Sequence, residues 1–348
     1  MDFTFSEDQL LFQETVRSFL VNEITPERLR AGWETDTGRD AALWQQLAEM
    51  GLTGLTVPEE HGGLGMSALD FVLLAQECGY VALPEPLVNS VLVAVPALVD
   101  LGGELAAEWL PKVAAGEARV VAGLEQNLVV EDAHVADLLL LERSGQWFAL
   151  TPDQFSAERN ESIDPGRRLF SVTVTGNAEP VLSGEAGDRL RLASLNRGAL
   201  GCAAQALGLA QRMIDLSVQY TSERQQFGKP IGSFQAVKHH MANVAVRLEY
   251  ARAPVARAAY AMDEDAAGAS LAVAQAKLAA CEAANLAAKN SIQVHGAMGY
   301  TWEVDLHIFM KKAWALANTW GDAGYHKQQV ASVIFAEGAA LGAGSTFR

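Results

Sequence analysis

The chain is poor in cysteine, with three in 348 residues: Cys78, Cys202 and Cys281. They lie far apart without metal-ligand spacing, and an odd count in a long chain argues against a disulfide framework. Small core residues are their expected role. Positive charge is also scarce. Lysine and arginine number 26 against 42 acidic residues, a net charge of -16. That disfavours nucleic acid, which needs a basic footprint, and anionic membrane surfaces. It leaves room for an anionic cofactor held by a few placed arginines. No run of about eighteen apolar residues occurs, so no membrane span is expected. The opening Met1-Asp2-Phe3-Thr4-Phe5 has neither the basic stretch nor the apolar run of a targeting signal. A reducing, cytoplasmic setting fits these absences. Missing too are G-x-G-x-x-G after a strand, H-E-x-x-H and G-x-S-x-G, so dinucleotide-fold, zincin and nucleophile-elbow chemistries have no signature. Of seven histidines, His239 and His240 are adjacent and point apart, and His295, His307 and His326 are widely spaced. Solvated or core-edge positions suit them better than a metal.

Apolar residues are plentiful. They make up 50% of the chain, enough for a sizeable core without staples. The first third reads as helices broken by glycine and proline. Ser6 with Gln9 forms a capping box, and Phe12, Val16, Phe19 and Leu20 follow at helical spacing. Leu43, Leu47 and Met50 mark a helix that Gly51 can stop. Pro58–Gly65 reads as a loop, Ser67 and Asp70 open a helix closed by Gly79, and another runs from Glu104 to Ala115 and stops at Gly116. In the middle, Leu138–Leu141 and Trp147–Leu150 flank Ser144-Gly145 as a hairpin, and Ser171–Thr175 alternates at period two. Beyond Asp188, long alanine-rich helical runs cover about 189–222, 233–264 and 268–293, with a shorter one from near 303 and a turn at Asp263-Glu264-Asp265. The layout is α+β and mostly helical: an N-terminal helical domain (1–118), a small β domain (119–187) and a C-terminal long-helix bundle (188–348).

Two stretches carry candidate chemistry. Arg224 precedes the forced turn Phe227-Gly228-Lys229-Pro230, where its planar fork could meet a pyrophosphate. Phe227 could cover an aromatic ring and Gln235 could hydrogen-bond one. The ordinary alternative is a solvated arginine beside a loop. Gln293-Val294-His295-Gly296-Ala297-Met298-Gly299 ends a long helix, and its glycines permit close approach of backbone to a ligand. The alternative is a helix stop. Trp302, Trp314 and Trp320 sit near helical spacing and read as core.

The stretches Glu223–Ile231 with Phe234-Gln235, and Gln293–Glu303, resemble the flavin-contacting signatures of the acyl-CoA dehydrogenases. Trp44–Leu52, Val57–Gly65 and Trp109–Glu117 resemble that family's amino-terminal patterns, so the resemblance spans nearly the whole chain. It implies a helical domain, a β domain and a four-helix bundle, with FAD as cofactor and an acyl-CoA as substrate. Arg224, Phe227, Gln235, Gln293, His295, Gly296 and Ala297 would touch the FAD of a neighbouring subunit. Electron-transfer flavoprotein is the implied acceptor.

The chain departs from the family pattern in two places. The Thr-Glu-Pro-x-x-Gly-Ser-Asp-like flavin cradle is absent, since Gly123–Val130 is followed almost at once by Ala133–Asp137. The family's glutamate base, needed to take the proton beside the thioester carbonyl, falls on Gly321 at one family position and near Gly198 at the other. Asp322, one residue off, is the remaining catalytic candidate; its other reading is a helix cap. Both losses resemble the short partner subunits of bacterial heteromeric α2β2 dehydrogenases of sterol degradation, in which a longer paralogue brings base and cradle. The alternatives are a self-sufficient homo-oligomer with an unusual base and a non-enzymatic acyl-CoA-binding or assembly module.

Overall fold

The computed structural model describes residues 4–339 and 342. The helices are α1 (Glu7–Glu23), α2 (Pro26–Trp33), α3 (Ala41–Glu49), α4 (Ala68–Tyr80), α5 (Leu87–Asn89), α6 (Val95–Leu101), α7 (Gly103–Ala114), α8 (Gly184–Glu223), α9 (Gln235–Asp263), α10 (Ala269–His295), α11 (Leu306–Ala317) and α12 (Ala323–Ile334). The strands are β1 (Val120–Leu124), β2 (Val130–Glu131), β3 (Leu138–Arg143), β4 (Gln146–Leu150), β5 (Phe155–Asn160), β6 (Leu169–Val174), β7 (Gln225–Gln226) and β8 (Lys229–Pro230). The fold is thus mostly helical, with a few small sheets between helical segments, as expected. Two compact units interleave along the sequence: Met1–Pro26 with Val72–Leu83 and Cys202–Arg348, and Glu27–Phe71 with Pro84–Gly201.

The Glu27–Phe71/Pro84–Gly201 unit holds the two three-stranded sheets, ordered β1-β3-β4 and β2-β6-β5. β1 and β3 are parallel and the other pairings antiparallel. The β3–β4 hairpin turns at Ser144 (φ 52°) and Gly145 (φ 76°), the two left-handed residues that match the twist of paired strands. Val121, Val130, Leu139, Leu141, Leu150 and Phe170, from both sheets, share one apolar core. Trp147 is fully buried, and its indole N–H donates to the Gly187 carbonyl at 3.0 Å, tying the start of α8 to β4. Two arginines with buried side chains tie this unit together. Arg39 donates to Asp132, and the Arg168 guanidinium donates to the carbonyls of Trp33 and Thr35, both at 3.1 Å.

In the other unit, α1 starts at the Ser6–Gln9 capping box and buries Val16 and Leu20. α10 packs between α9, α11 and α12 through a run of buried alanines, including Ala276, Ala280, Ala283, Ala284 and Ala287. Small side chains let such helices approach closely. Lys277 is 1% exposed among them, and its ammonium donates to the Leu316 (2.7 Å) and Thr319 (2.9 Å) carbonyls at the end of α11. A cation suits the negative end of a helix.

Two local expectations fail. Gly79 does not close α4, which runs on to Tyr80. A Cβ on Gly79 would lie 2.1 Å from the Gln205 carbonyl oxygen, and one on Gly208 would lie 1.9 Å from that of Gln76. Both glycines therefore serve close backbone contact between α4 and α8. Nor is Trp302 a core residue. It is 65% exposed, with the Lys311 ammonium 3.9 Å from its ring centroid.

Gly208→Ala tests the crossing. Alanine gains roughly 1 kcal/mol of helix propensity, but backbone must move to admit its Cβ. A net loss of about 1–2 kcal/mol is expected from overpacking, read as a lower urea midpoint at unchanged slope. An unchanged midpoint would contradict the close approach.

Candidate functional site

α8 ends in a two-stranded hairpin. The Arg224 amide donates to the Tyr220 carbonyl (2.9 Å), and the Ile231 amide returns to the Arg224 carbonyl (2.8 Å). Between them β7 and β8 pair across Phe227 (φ 54°) and Gly228 (φ 77°). Phe227 is 91% exposed in a backbone conformation that L residues disfavour. Its ring contact is the edge of Phe234, 6.2 Å between centroids. Strain of this kind costs about 1–3 kcal/mol and concentrates at functional sites. The Arg224 side chain is exposed and has no hydrogen bond or ion pair among the described residues. Gln235, also exposed, opens α9.

The second stretch closes α10. Gln293 is exposed in its last turn, and His295 is buried. The His295 Nδ1 lies 2.7 Å from the Ser291 carbonyl, so it carries the proton and donates. Burial holds the imidazole below its usual pKa, which keeps it neutral at pH 7. Gly296 (φ 59°, ψ −136°) then reverses the chain in a conformation open to glycine alone, and Gly296 and Ala297 lie exposed at the start of a short 3₁₀ turn.

Tyr220 joins the two stretches. Its ring stacks on His295 at 4.3 Å, 18° between planes, and its hydroxyl donates to the His295 carbonyl at 3.4 Å. Gly232 lies against the Thr221 carbonyl, which a Cβ there would approach to 3.0 Å. The hairpin, the start of α9 and the end of α10 are thereby held at one place, with Arg224, Phe227, Gln235, Gln293, Gly296 and Ala297 at its surface and the His295 ring beneath. Tyr220 was not singled out from the sequence. Its signal was its place one helical turn before Arg224.

Both glycines at the positions expected for the family's base are buried. Gly321 has φ 89° and follows Trp320, itself at φ 58° and buried. A Cβ on Gly321 would lie 2.6 Å from the Tyr325 ring and 2.7 Å from Nε2 of His326, which sits 3.0 Å from the Trp320 carbonyl. Asp322 caps α12, its Oδ1 accepting from the Tyr325 amide at 2.8 Å. Gly198 is buried within α8.

The residues fit FAD at one place and not at the other. At the hairpin, a free guanidinium, an exposed aromatic ring and an exposed amide suit a pyrophosphate and a flat heteroaromatic ring. After β1, where the family's cradle would lie, Glu125 and Glu142 accept from the amides of Ser144 (2.7 Å) and Gly145 (2.8 Å). These carboxylates hold the β3–β4 turn and leave neither amide open to a ligand. Among the cysteines, Cys78 is buried and its thiol is pushed up to about 12 by that burial, so it is not a nucleophile.

The family model described as "Acyl-CoA dehydrogenase, N-terminal domain" matches residues 6–117, and "Acyl-CoA dehydrogenase, C-terminal domain" matches residues 185–335. The chain is similar to acyl-CoA dehydrogenase IpdE2 of Mycobacterium tuberculosis, 36% identical over 308 residues that cover 88% of this chain and 91% of the relative. Among solved structures it resembles the Tcur3481-Tcur3483 steroid ACAD G363A variant, with a TM-score of 0.85 and 25% identity over 96% of this chain and 99% of that one. The ChsE4-ChsE5 complex from Mycobacterium tuberculosis shares the fold at a TM-score of 0.85 and 23% identity, over 96% of this chain and 99% of that one. Models matching at both ends, and a relative aligned over most of both chains, show that this chain belongs to the acyl-CoA dehydrogenase family of flavoprotein oxidoreductases.

Proposed function

We propose that this chain is the partner subunit of a heteromeric acyl-CoA dehydrogenase, completing the FAD site of a longer paralogue in an α2β2 assembly. The observation that carries the reading is the open Arg224–Phe227 hairpin, strained and unpaired within its own chain, in a molecule whose Gly321 position is closed to a base. The cofactor supplies a two-electron acceptor for the hydride leaving the acyl β-carbon. On this chain, Arg224 would pair with the pyrophosphate, Phe227 would shield one ring face from water, and the Gln235 amide would orient it. The exposed turn at Gly296–Ala297 lets backbone come close. The α-proton would be taken by a carboxylate of the paralogue. A steroid-derived CoA thioester is the substrate class, supported by the likeness to a steroid ACAD. Electron-transfer flavoprotein is the acceptor that the family resemblance supports.

Expressed alone, the chain should hold little flavin. Co-expressed with a longer paralogue, it should give a yellow complex that reduces a dye with a CoA thioester. A yellow, active homo-oligomer of this chain alone would overturn the reading.

Arg224→Ala in that complex should lose a charge-assisted contact of about 1.5–3 kcal/mol. Flavin retention should then weaken roughly 10- to 100-fold. Arg224→Lys should restore only part of it, lacking the bidentate fork, and the thermal midpoint should hold because no core contact is removed. Full flavin occupancy in Arg224→Ala would return the residue to a solvated surface role.

The base positions give a second expectation. Gly321→Glu should destabilise by about 1–3 kcal/mol through its left-handed backbone and create no turnover in the isolated chain. Asp322→Ala should cost about 1 kcal/mol as a lost helix cap and leave turnover of the complex unchanged. A fall of several orders of magnitude in kcat would instead make Asp322 the base.

A further inference from the structure

A cleft of about 630 Å³ opens between α10, α11 and α12, within the range of roughly 300–1,000 Å³ usual for small-molecule sites. It shares no residue with the flavin-type surface. Of the described residues that line it, Lys277 alone is buried, so its side chain forms the floor. An ammonium carries three N–H donors. On Lys277 two of them go to the Leu316 and Thr319 carbonyls. The third has no partner, and Lys277 has no ion pair, among the described residues. A buried charge without a counter-ion is costly, and an anion in the cleft would relieve that cost.

The lining offers no counter-ion of its own. Among its described residues the one carboxylate, Glu282, pairs with Arg247 at 3.5 Å. Asp322, next to the lining residue Ala323, accepts from the Tyr325 amide at 2.8 Å. A second cation, Lys327, stands on the α12 wall, exposed and without an ion pair among the described residues. The cleft is thus a positive site in a chain of net charge -16. The half-buried Asn285 side chain, also without a hydrogen bond among the described residues, adds an amide donor. Leu278 and Trp314, both half-buried, supply apolar wall.

These walls select the ligand. An inorganic anion would match the ammoniums and leave Leu278 and Trp314 uncovered. A neutral apolar molecule would cover both and leave Lys277 without its counter-charge. We infer that the cleft binds an organic carboxylate with an apolar body. The carboxylate sits at the Lys277 floor, where it accepts the third N–H, with Lys327 as the second cation and Asn285 as a neutral donor. The hydrocarbon lies along Leu278 and Trp314, removing that apolar surface from water. Fatty acids and sterol acids share this chemistry and differ in the shape of the body.

Calorimetric titration of the full chain with decanoate, cholate and decan-1-ol tests the site. The better of the two carboxylates should bind with a Kd below about 1 mM, and decan-1-ol roughly tenfold more weakly. Tighter binding of decanoate identifies a slender body, and of cholate a rigid one. Lys327→Ala should weaken the carboxylate roughly three- to tenfold. Ala323→Trp, filling the cleft from an exposed position, should abolish binding. Both variants leave the Lys277 contacts intact, so neither should lower the thermal midpoint. Cys281 lines the cleft and is half-exposed, whereas Cys78 and Cys202 are buried. Bound carboxylate should therefore slow maleimide labelling of that one thiol. Absence of binding by both carboxylates at about 5 mM overturns the proposal. So does equal affinity for decan-1-ol, or binding that persists in both variants and leaves Cys281 labelling unchanged. No flavin or paralogue enters these readouts, so the partner-subunit reading stands or falls separately.

Discussion

The rest of the bundle depends on how closely α4 and α8 approach. At their crossing Gly79 lies against Gln205 and Gly208 against Gln76, with no room for a Cβ at either glycine. This contact sets the neighbourhood of Tyr80. The Tyr80 hydroxyl donates to Asp215 at 2.9 Å, and its ring centroid lies 4.1 Å from the Arg17 guanidinium. One turn further along, Arg252 from α9 reaches Gln76 and Gln211, both at 3.0 Å. α8 is thereby held from Gln205 to Asp215, two turns before the end where Tyr220 and Arg224 present the hairpin. A beam of 40 residues without internal proline keeps the functional surface in register with the crossing.

Strain is not spread evenly. Phe227 and Trp320 both take left-handed backbone, yet one ring is almost wholly exposed and the other is buried. Trp320 is held in place from two sides, by Lys277 on the adjoining carbonyls of Leu316 and Thr319 and by His326 on its own carbonyl. The surroundings over-determine that bend. At Phe227 the restraints among the described residues are the two-residue hairpin and the edge contact with the Phe234 ring. The Trp320–Asp322 loop is taken up by packing against Tyr325 and His326 and by the cap of α12.

Much of the fold was legible. The capping box at Ser6, the stop at Gly51, the Ser144-Gly145 turn and the three long helical runs all rest on local rules, which short-range sterics and hydrogen bonding enforce whatever the surroundings. Legibility failed where a residue's role came from a distant neighbour. Gly79 looks like a stop in sequence, because nothing local announces that α8 passes over it. Trp302 looks like core, because spacing cannot tell which side of a short turn faces water. Tyr220 went unnoticed because its partner His295 is some seventy residues away.

The sequence by itself determined the helical and strand segments, the glycines at positions 198 and 321, and the presence of an arginine–phenylalanine turn followed by a glutamine. These follow from residue identity and near-neighbour chemistry. Tertiary structure alone decided that the two stretches meet through the Tyr220–His295 stack, that Arg224 has no partner among the described residues, and that Gly321 has no room for a side chain. Each of those depends on which elements pack against one another, and on the space left between them.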